Sequence, residues 1–255
     1  FSFINNTRIK FIFFLLFFFK KKQSIKKVYQ AVHDLHYIGF HKIENYYDSH
    51  DLESLNNFGD KLLEEVENDK VNASNVEKVD GSIKVKHISS NFKIIRRYSH
   101  EIFFILINFL FRARLNMPSA LFDLSHDGSF ISNVVPGKSN VRIAGFPHVD
   151  GANDYLKIVI ILRDLNKENG PTALISKTSN SKYLRPIIYE LMKPKKKRRQ
   201  NYDEVLNEEL MKKFNKYPPS YLTGKKGDIY FLNTRNIHWA TPLEKGIRKL
   251  IWFYF

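Results

Sequence analysis

Phe146-Pro147-His148-Val149-Asp150-Gly151 contains the only His-x-Asp of the 255-residue chain. Read as the end of a β-strand, it sets the His148 imidazole and the Asp150 carboxylate on one face, because side chains two apart point the same way. Two ligands of a metal site would then stand side by side; an ordinary polar pair is the alternative. A third ligand further along the chain decides between them. His100 and His126 have no acidic residue two positions on and are read as packing or surface residues.

The chain has no cysteine, which excludes disulfides, thiolate catalysis and Cys-held metals and leaves His, Asp and Glu to hold any metal. A cytoplasmic setting is compatible with this. With 43% hydrophobic and 15% aromatic residues, the chain can bury a sizeable core. Its 41 basic residues against 26 acidic suit an acidic partner such as nucleic acid, a membrane surface or an anionic substrate. The excess is spread along a Lys-, Asn-, Ile- and Phe-rich chain, so compositional bias accounts for it equally well. The sequence begins on Phe1 and stops in the strand-like run Ile251 to Phe255, which reads as a piece of a longer protein.

Outward from the motif, the chain reads as one domain over 24–255 preceded by an extension, 1–23. The apolar run Phe11 to Phe19 is too short to span a bilayer and is followed by lysines rather than a small-residue cleavage site, so no membrane attachment is expected. Val28, Ala31, Val32 and Leu35 recur at helical spacing, predicting a helix that ends near Gly39; a second helix carries Leu52, Leu55, Leu62, Leu63 and Val66. Residues 68–82 read as a polar connection, Ile83, Val85 and His87 as a strand, and Tyr98 to Leu115 as a buried helix. After Gly128, short apolar runs alternate with Gly, Pro, Asn and Asp turns, which marks an antiparallel β-domain. Strands are expected at 130–135, 141–149, 156–162, 172–176, 229–232, 237–241 and 248–255. The fold class is therefore mainly β with flanking helices: a helical front over 24–127 and a β core over 128–255, with an insertion at 177–220. That insertion carries a helix with Val205, Leu206, Leu210, Met211 and Phe214, and the run Lys193 to Arg199. The run reads as a solvated loop, with nuclear import or nucleic-acid phosphate contacts as the weaker alternatives.

The third ligand follows the strand beginning at Gly227-Asp228: His238, with Arg248 ten residues on. Two imidazoles and one carboxylate on a single face leave positions open on Fe(II) for an organic co-substrate and dioxygen. In the last strand Arg248, Leu250, Trp252 and Tyr254 alternate onto one face. If that face is interior, the guanidinium needs an anion, and a carboxylate matches its planar fork best. A solvent-facing arginine is the alternative, and Lys249 beside it suggests that one face is wet.

These residues resemble the Fe(II)- and 2-oxoglutarate-dependent dioxygenases, and most closely the phytanoyl-CoA dioxygenase-like group, over roughly Arg142 to the C-terminus. The run Leu156 to Leu162, the turn Glu168-Asn169-Gly170-Pro171-Thr172 and Gly227-Asp228 carry the likeness besides His148, Asp150, His238 and Arg248. The first helix and Gly39-Phe40 resemble the leading helix and the strand with which such domains often begin. Two positions depart from the group. Its Pro-Gly-Ser-His after the turn is Ser176-Lys177-Thr178-Ser179 here, and the serine that helps hold 2-oxoglutarate is Ala240, with Thr241 adjacent. The spacing of Pro242, Gly246 and Arg248 also resembles prolyl-hydroxylase-type members.

The resemblance implies a double-stranded β-helix, the cupin-like jelly roll, with Fe(II) on His148, Asp150 and His238. It also implies 2-oxoglutarate on Arg248 with Thr241 nearby, and dioxygen as oxidant. The implied reaction hydroxylates a small organic substrate while 2-oxoglutarate is decarboxylated to succinate and CO2. Asp150 sets the chain apart from halogenating relatives, which carry a small residue there. A cupin-like metal protein that does not use 2-oxoglutarate is the other class the residues allow. The substrate, anionic or not, is not legible in the sequence.

Overall fold

The computed structural model describes residues 22–79, 82–93, 95, 98, 102–114, 127–133, 145, 147–150, 156–179, 212, 214–215 and 217–255. The runs 11–19 and 193–199, His100, His126 and most of the helix expected around Val205 lie outside the described residues, as does most of the strand expected over 141–149. Among the described residues, no helix is long and apolar enough to cross a membrane.

Among the described residues, three helices longer than ten residues stand against one face of a large sheet: α1 (Lys22–Tyr37), α2 (Ser49–Glu67) and α3 (Ile102–Arg114). The strands are β1 (Phe40–Ile43), β2 (Val76–Val79), β3 (Ser82–Lys86), β4 (Asp127–Asn133), β5 (Leu156–Ile161), β6 (Thr172–Leu174), β7 (Ser220–Tyr221), β8 (Ile229–Asn233), β9 (His238–Ala240) and β10 (Arg248–Tyr254). Seven form a sheet in the order β1-β8-β5-β10-β4-β3-β2, and three form a second in the order β7-β6-β9. Every pairing within them is antiparallel. This is the expected jelly roll.

Period-two alternation divides the core in two. Ile158 and Ile160 of β5, Ile229 and Phe231 of β8, and Ile251 and Phe253 of β10 pack outward with Leu35 of α1, Leu55 and Leu62 of α2, and Phe104 and Ile107 of α3. Each such buried Ile, Leu or Phe contributes about 1.5–3 kcal/mol relative to exposure. The intervening Val159, Ile161, Tyr230, Leu232 and Leu250 turn the other way and meet Leu174 and Leu222 between the sheets. Helices therefore cover one face of the large sheet, and the small sheet closes the other.

Three expectations change. The front is not only helical, because β1, β2 and β3 all join the large sheet, and the polar connection 68–82 contains β2. β1 and β2 are short and form the sheet's two edges, where one polar side costs little, so they show little apolar pattern, whereas Ile83 and Val85 of β3 carry the expected alternation. Nor is the face bearing Lys249 wet: Lys249 is 9% exposed, its ammonium lies 2.6 Å from Asp60 Oδ1 on α2, and it stands over the Phe130 ring. His87, expected in a strand, instead adopts a left-handed backbone just beyond β3.

At the base of β8, the buried Asp228 accepts hydrogen bonds from the backbone N–H groups of Asn45 and Lys225, and the Lys42 ammonium lies 2.9 Å from its Oδ2. Burial favours the neutral acid, but these contacts outweigh it and hold the carboxyl below its ordinary value. A pKa lowered on folding means that the stabilisation is complete above the unfolded value and is lost as pH falls through the folded one. Asp228→Ala is therefore expected to lower the urea-unfolding free energy by about 2–3 kcal/mol at neutral pH. The gap from wild type should shrink below about pH 4.

Candidate functional site

His148 and His238 meet through their backbones. His148 N–H donates to His238 O at 3.0 Å and His238 N–H to His148 O at 2.9 Å, an isolated antiparallel bridge rather than part of a strand. Two residues on, Asp150 N–H donates to Thr234 O at 3.1 Å. The alternation inferred from sequence thus holds for this pair without a strand around it. Asp150 Oδ1 lies 3.7 Å from His148 Nε2 and Oδ2 lies 3.6 Å from His238 Nε2, with the two rings 4.3 Å apart. One ligating atom from each of the three residues falls within 4.8 Å of the others, a separation that suits a single ion.

The loop before β9 fixes the orientation of His238. Its Nδ1 lies 2.9 Å from Asn236 O, so the proton on Nδ1 is donated to that carbonyl and the Nε2 lone pair faces Asp150 and His148. Asn236 is held in turn: its Oδ1 accepts from Ser179 N–H and its Nδ2 donates to Asn233 O. Thr178 Oγ1 accepts from Ile237 N–H and donates to Ile175 O, both at 2.8 Å. Gly39, at φ +104°, permits the close approach of β1, since a Cβ there would stand 2.6 Å from Asn236 Nδ2.

Electrostatics match donor chemistry. Burial pushes His238 down to about 3 against the pull of Asp150, so the ring is a neutral donor at ordinary pH. Burial alone would raise Asp150, but the charges of Lys157, His238 and His148 outweigh it and hold the carboxyl at about 2.

Arg248 is 5% exposed, which overturns the solvent-facing alternative, and burial lowers its pKa to about 10. It shares one cavity with His148, His238, Leu250, Trp252 and Tyr254, so the four alternating residues of β10 all face the site. Its Nη1 donates to the Gly170 carbonyl. Gly170 takes a left-handed φ of +70°, and a Cβ there would stand 2.8 Å from Thr241 O, so the Asn169-Gly170-Pro171 turn seats closely on the β9–β10 connection. Thr241 does not line the cavity; its hydroxyl donates to Pro171 O at 2.6 Å and its N–H to the same carbonyl at 3.0 Å. Thr172, Trp239 and Lys157 line the cavity instead, none of them singled out in the sequence. The signal for Lys157 was there: one cation inside the apolar run Leu156 to Leu162, in phase with the inward-facing Val159 and Ile161.

No protein-family model matches the chain. No curated protein matches it. Solved structures do. The epimerase SnoN, in complex with Fe3+, alpha ketoglutarate and a nogalamycin compound, is 12% identical over 90% of this chain and 83% of that one, with a TM-score of 0.62. EctD from S. alaskensis with bound Fe is 12% identical over 88% and 75%, with a TM-score of 0.60. HygX from Streptomyces hygroscopicus, with nickel, 2-oxoglutarate and hygromycin B bound, is 14% identical over 88% and 85%, with a TM-score of 0.53. At such identities the likeness is one of fold.

Thr178→Val leaves the buried Ile237 N–H without its acceptor, and the expected loss in urea-unfolding free energy is about 1–3 kcal/mol. Thr178→Ser is expected to recover most of it.

Proposed function

We propose that the chain is an Fe(II)- and 2-oxoglutarate-dependent oxygenase acting on a small organic molecule. The observation that carries this reading is the convergence of two imidazole nitrogens and one carboxylate, with both imidazoles at the wall of a cavity that also receives a buried arginine. The donor set fits the metal: two imidazole nitrogens and one ionised oxygen on one side suit non-haem Fe(II) with sites left for exogenous ligands. When bound, iron with 2-oxoglutarate and dioxygen supplies C–H oxidation coupled to decarboxylation of the co-substrate to succinate and CO2.

In this reading His148, Asp150 and His238 hold the iron, and the Asn236 carbonyl keeps the His238 lone pair aimed at it. Arg248 receives the far carboxylate of 2-oxoglutarate. Its hydrogen bond to Gly170 O holds the guanidinium in place, and its burial away from water strengthens the pairing. Thr172, at 7% exposure on the same wall, takes the secondary polar role expected of Thr241. Leu250 and Ile131 supply apolar wall that excludes water around the reacting groups. Within the superfamily, the turn that positions Arg248 supports the phytanoyl-CoA dioxygenase-like group. The small-molecule ligands of SnoN and HygX favour a substrate of that size class.

Anaerobic titration tests the assignment. Wild-type protein is expected to bind one Fe(II), and to bind 2-oxoglutarate only once metal is present. Asp150→Ala should weaken metal binding by at least about 100-fold. Arg248→Met should leave metal binding intact and weaken 2-oxoglutarate by about 100-fold. Binding of 2-oxoglutarate without metal would refute the reading.

A further inference from the structure

The cavity holds a second, largely enclosed cation that neither the metal nor the co-substrate explains. Lys157 projects inward from β5, 14% exposed, with its ammonium 2.6 Å from Asp150 Oδ2. It is registered opposite Tyr254, at the far end of β10 from Arg248. Six residues of strand put those two ends about 20 Å apart. The two inward cations therefore stand at opposite ends of one wall, and Lys157 is the one in contact with the Asp150 carboxylate.

The surroundings of Lys157 form a polarised pocket. Its ammonium lies 5.2 Å from the Tyr254 ring centroid and 5.7 Å from that of Trp252. Lys84 approaches the same Tyr254 ring at 6.0 Å. Glu77, an acid on this wall, is ion-paired with Lys86. The Trp252 indole N–H is buried and finds no hydrogen-bond partner among the described residues. Two ammonium groups and an unsatisfied N–H thus share an aromatic-lined corner. A buried ammonium needs an anion. Asp150 serves that need here, but a divalent cation on the same carboxylate competes for its charge and adds a like charge beside the lysine.

We infer that Lys157, with Trp252, Tyr254 and Lys84, forms a subsite for an anionic group of the substrate, so that the substrate is a small organic anion held beside the metal ligands. The inference rests on the oxygenase reading and names its substrate class. The aromatic rings pack the carbon skeleton while the ammonium takes the charge. A carboxylate and a phosphate are both candidates for that charge, and the probes below separate them.

Both tryptophans of the chain, Trp239 and Trp252, line the cavity, so intrinsic fluorescence reports its occupancy. Zn(II)-loaded protein saturated with 2-oxoglutarate is titrated with benzoate, hexanoate and phenyl phosphate, each beside its neutral mate benzamide, hexanamide or phenol. At least one anion is expected to bind about 10-fold or more tightly than its mate. Lys157→Met, which keeps the stem packed on the rings, should erase that preference while 2-oxoglutarate and the neutral mates bind as before. The carboxylate and phosphate arms then show which headgroup is preferred. No anion outbinding its mate, or a preference that survives Lys157→Met, overturns the inference. So does a loss of 2-oxoglutarate binding in the variant, which would make Lys157 a co-substrate contact. Failure of wild-type protein to bind 2-oxoglutarate in a metal-dependent way would instead be the failure of the oxygenase reading itself.

Discussion

Two backbone hydrogen bonds between His148 and His238 hold the site together. They join positions ninety apart: His238 opens a three-residue strand, and His148 meets it through an isolated bridge. Because the bonds are between main chains, they fix the Cα positions before any side chain is chosen. The two imidazoles can then only project side by side, 4.3 Å between ring centres. Asp150 follows at the next inward position, tethered by its own N–H to Thr234. The candidate ligand set is thus a property of main-chain pairing, tuned by the loop carbonyl of Asn236 that selects the tautomer of His238.

Strand β10 connects this site to the rest of the fold. Ile251 and Phe253 are locked between helices and sheet, while Arg248, Leu250, Trp252 and Tyr254 face the cavity from the same seven residues. Shifting the register by one residue would exchange the two sets, placing an arginine in an apolar layer and phenylalanine at the candidate site. The pairings with β4 on one side and β5 on the other forbid that slip. Helical packing on the outer face therefore determines which side chains the cavity receives. It also hides Lys249, whose charge is met by Asp60 from α2 rather than by water.

Residues were legible in the sequence where one physical signal dominated. The helical spacing of Val28, Ala31, Val32 and Leu35 and the apolar runs of β5, β8 and β10 gave their elements because each is buried along at least one whole face. The grouping of His148, Asp150 and His238 was legible because only one His-x-Asp exists in the chain. Edge strands β2 and β7 were not, since a partner on one side and a mixed polar surface leave no periodicity. The direction of the Thr241 side chain was not legible for a related reason. Adjacency to Ala240 says nothing about direction, and its hydroxyl is committed to Pro171 O in holding the turn behind Arg248. Lys157 is inconspicuous in the sequence because the run around it is otherwise apolar, although its single cation is the informative residue there.

The concentration of charge at the site follows from these placements. A jelly roll buries the inward faces of both its sheets, so any ionised group there must be compensated from within. Asp150 is compensated by the Lys157 ammonium, 2.6 Å from its Oδ2, and its carboxyl is held at about 2 although it is largely enclosed. Arg248, oriented by the Gly170 carbonyl, and the Lys84 and Lys157 ammonium groups near the Tyr254 ring line the same cavity. Three cationic side chains, Lys84, Lys157 and Arg248, thus stand on the cavity wall with one acid, Glu77. A wall of this kind favours ligands that bring negative charge with them. That one electrostatic constraint joins the arginine at one end of β10 to the lysine at the other.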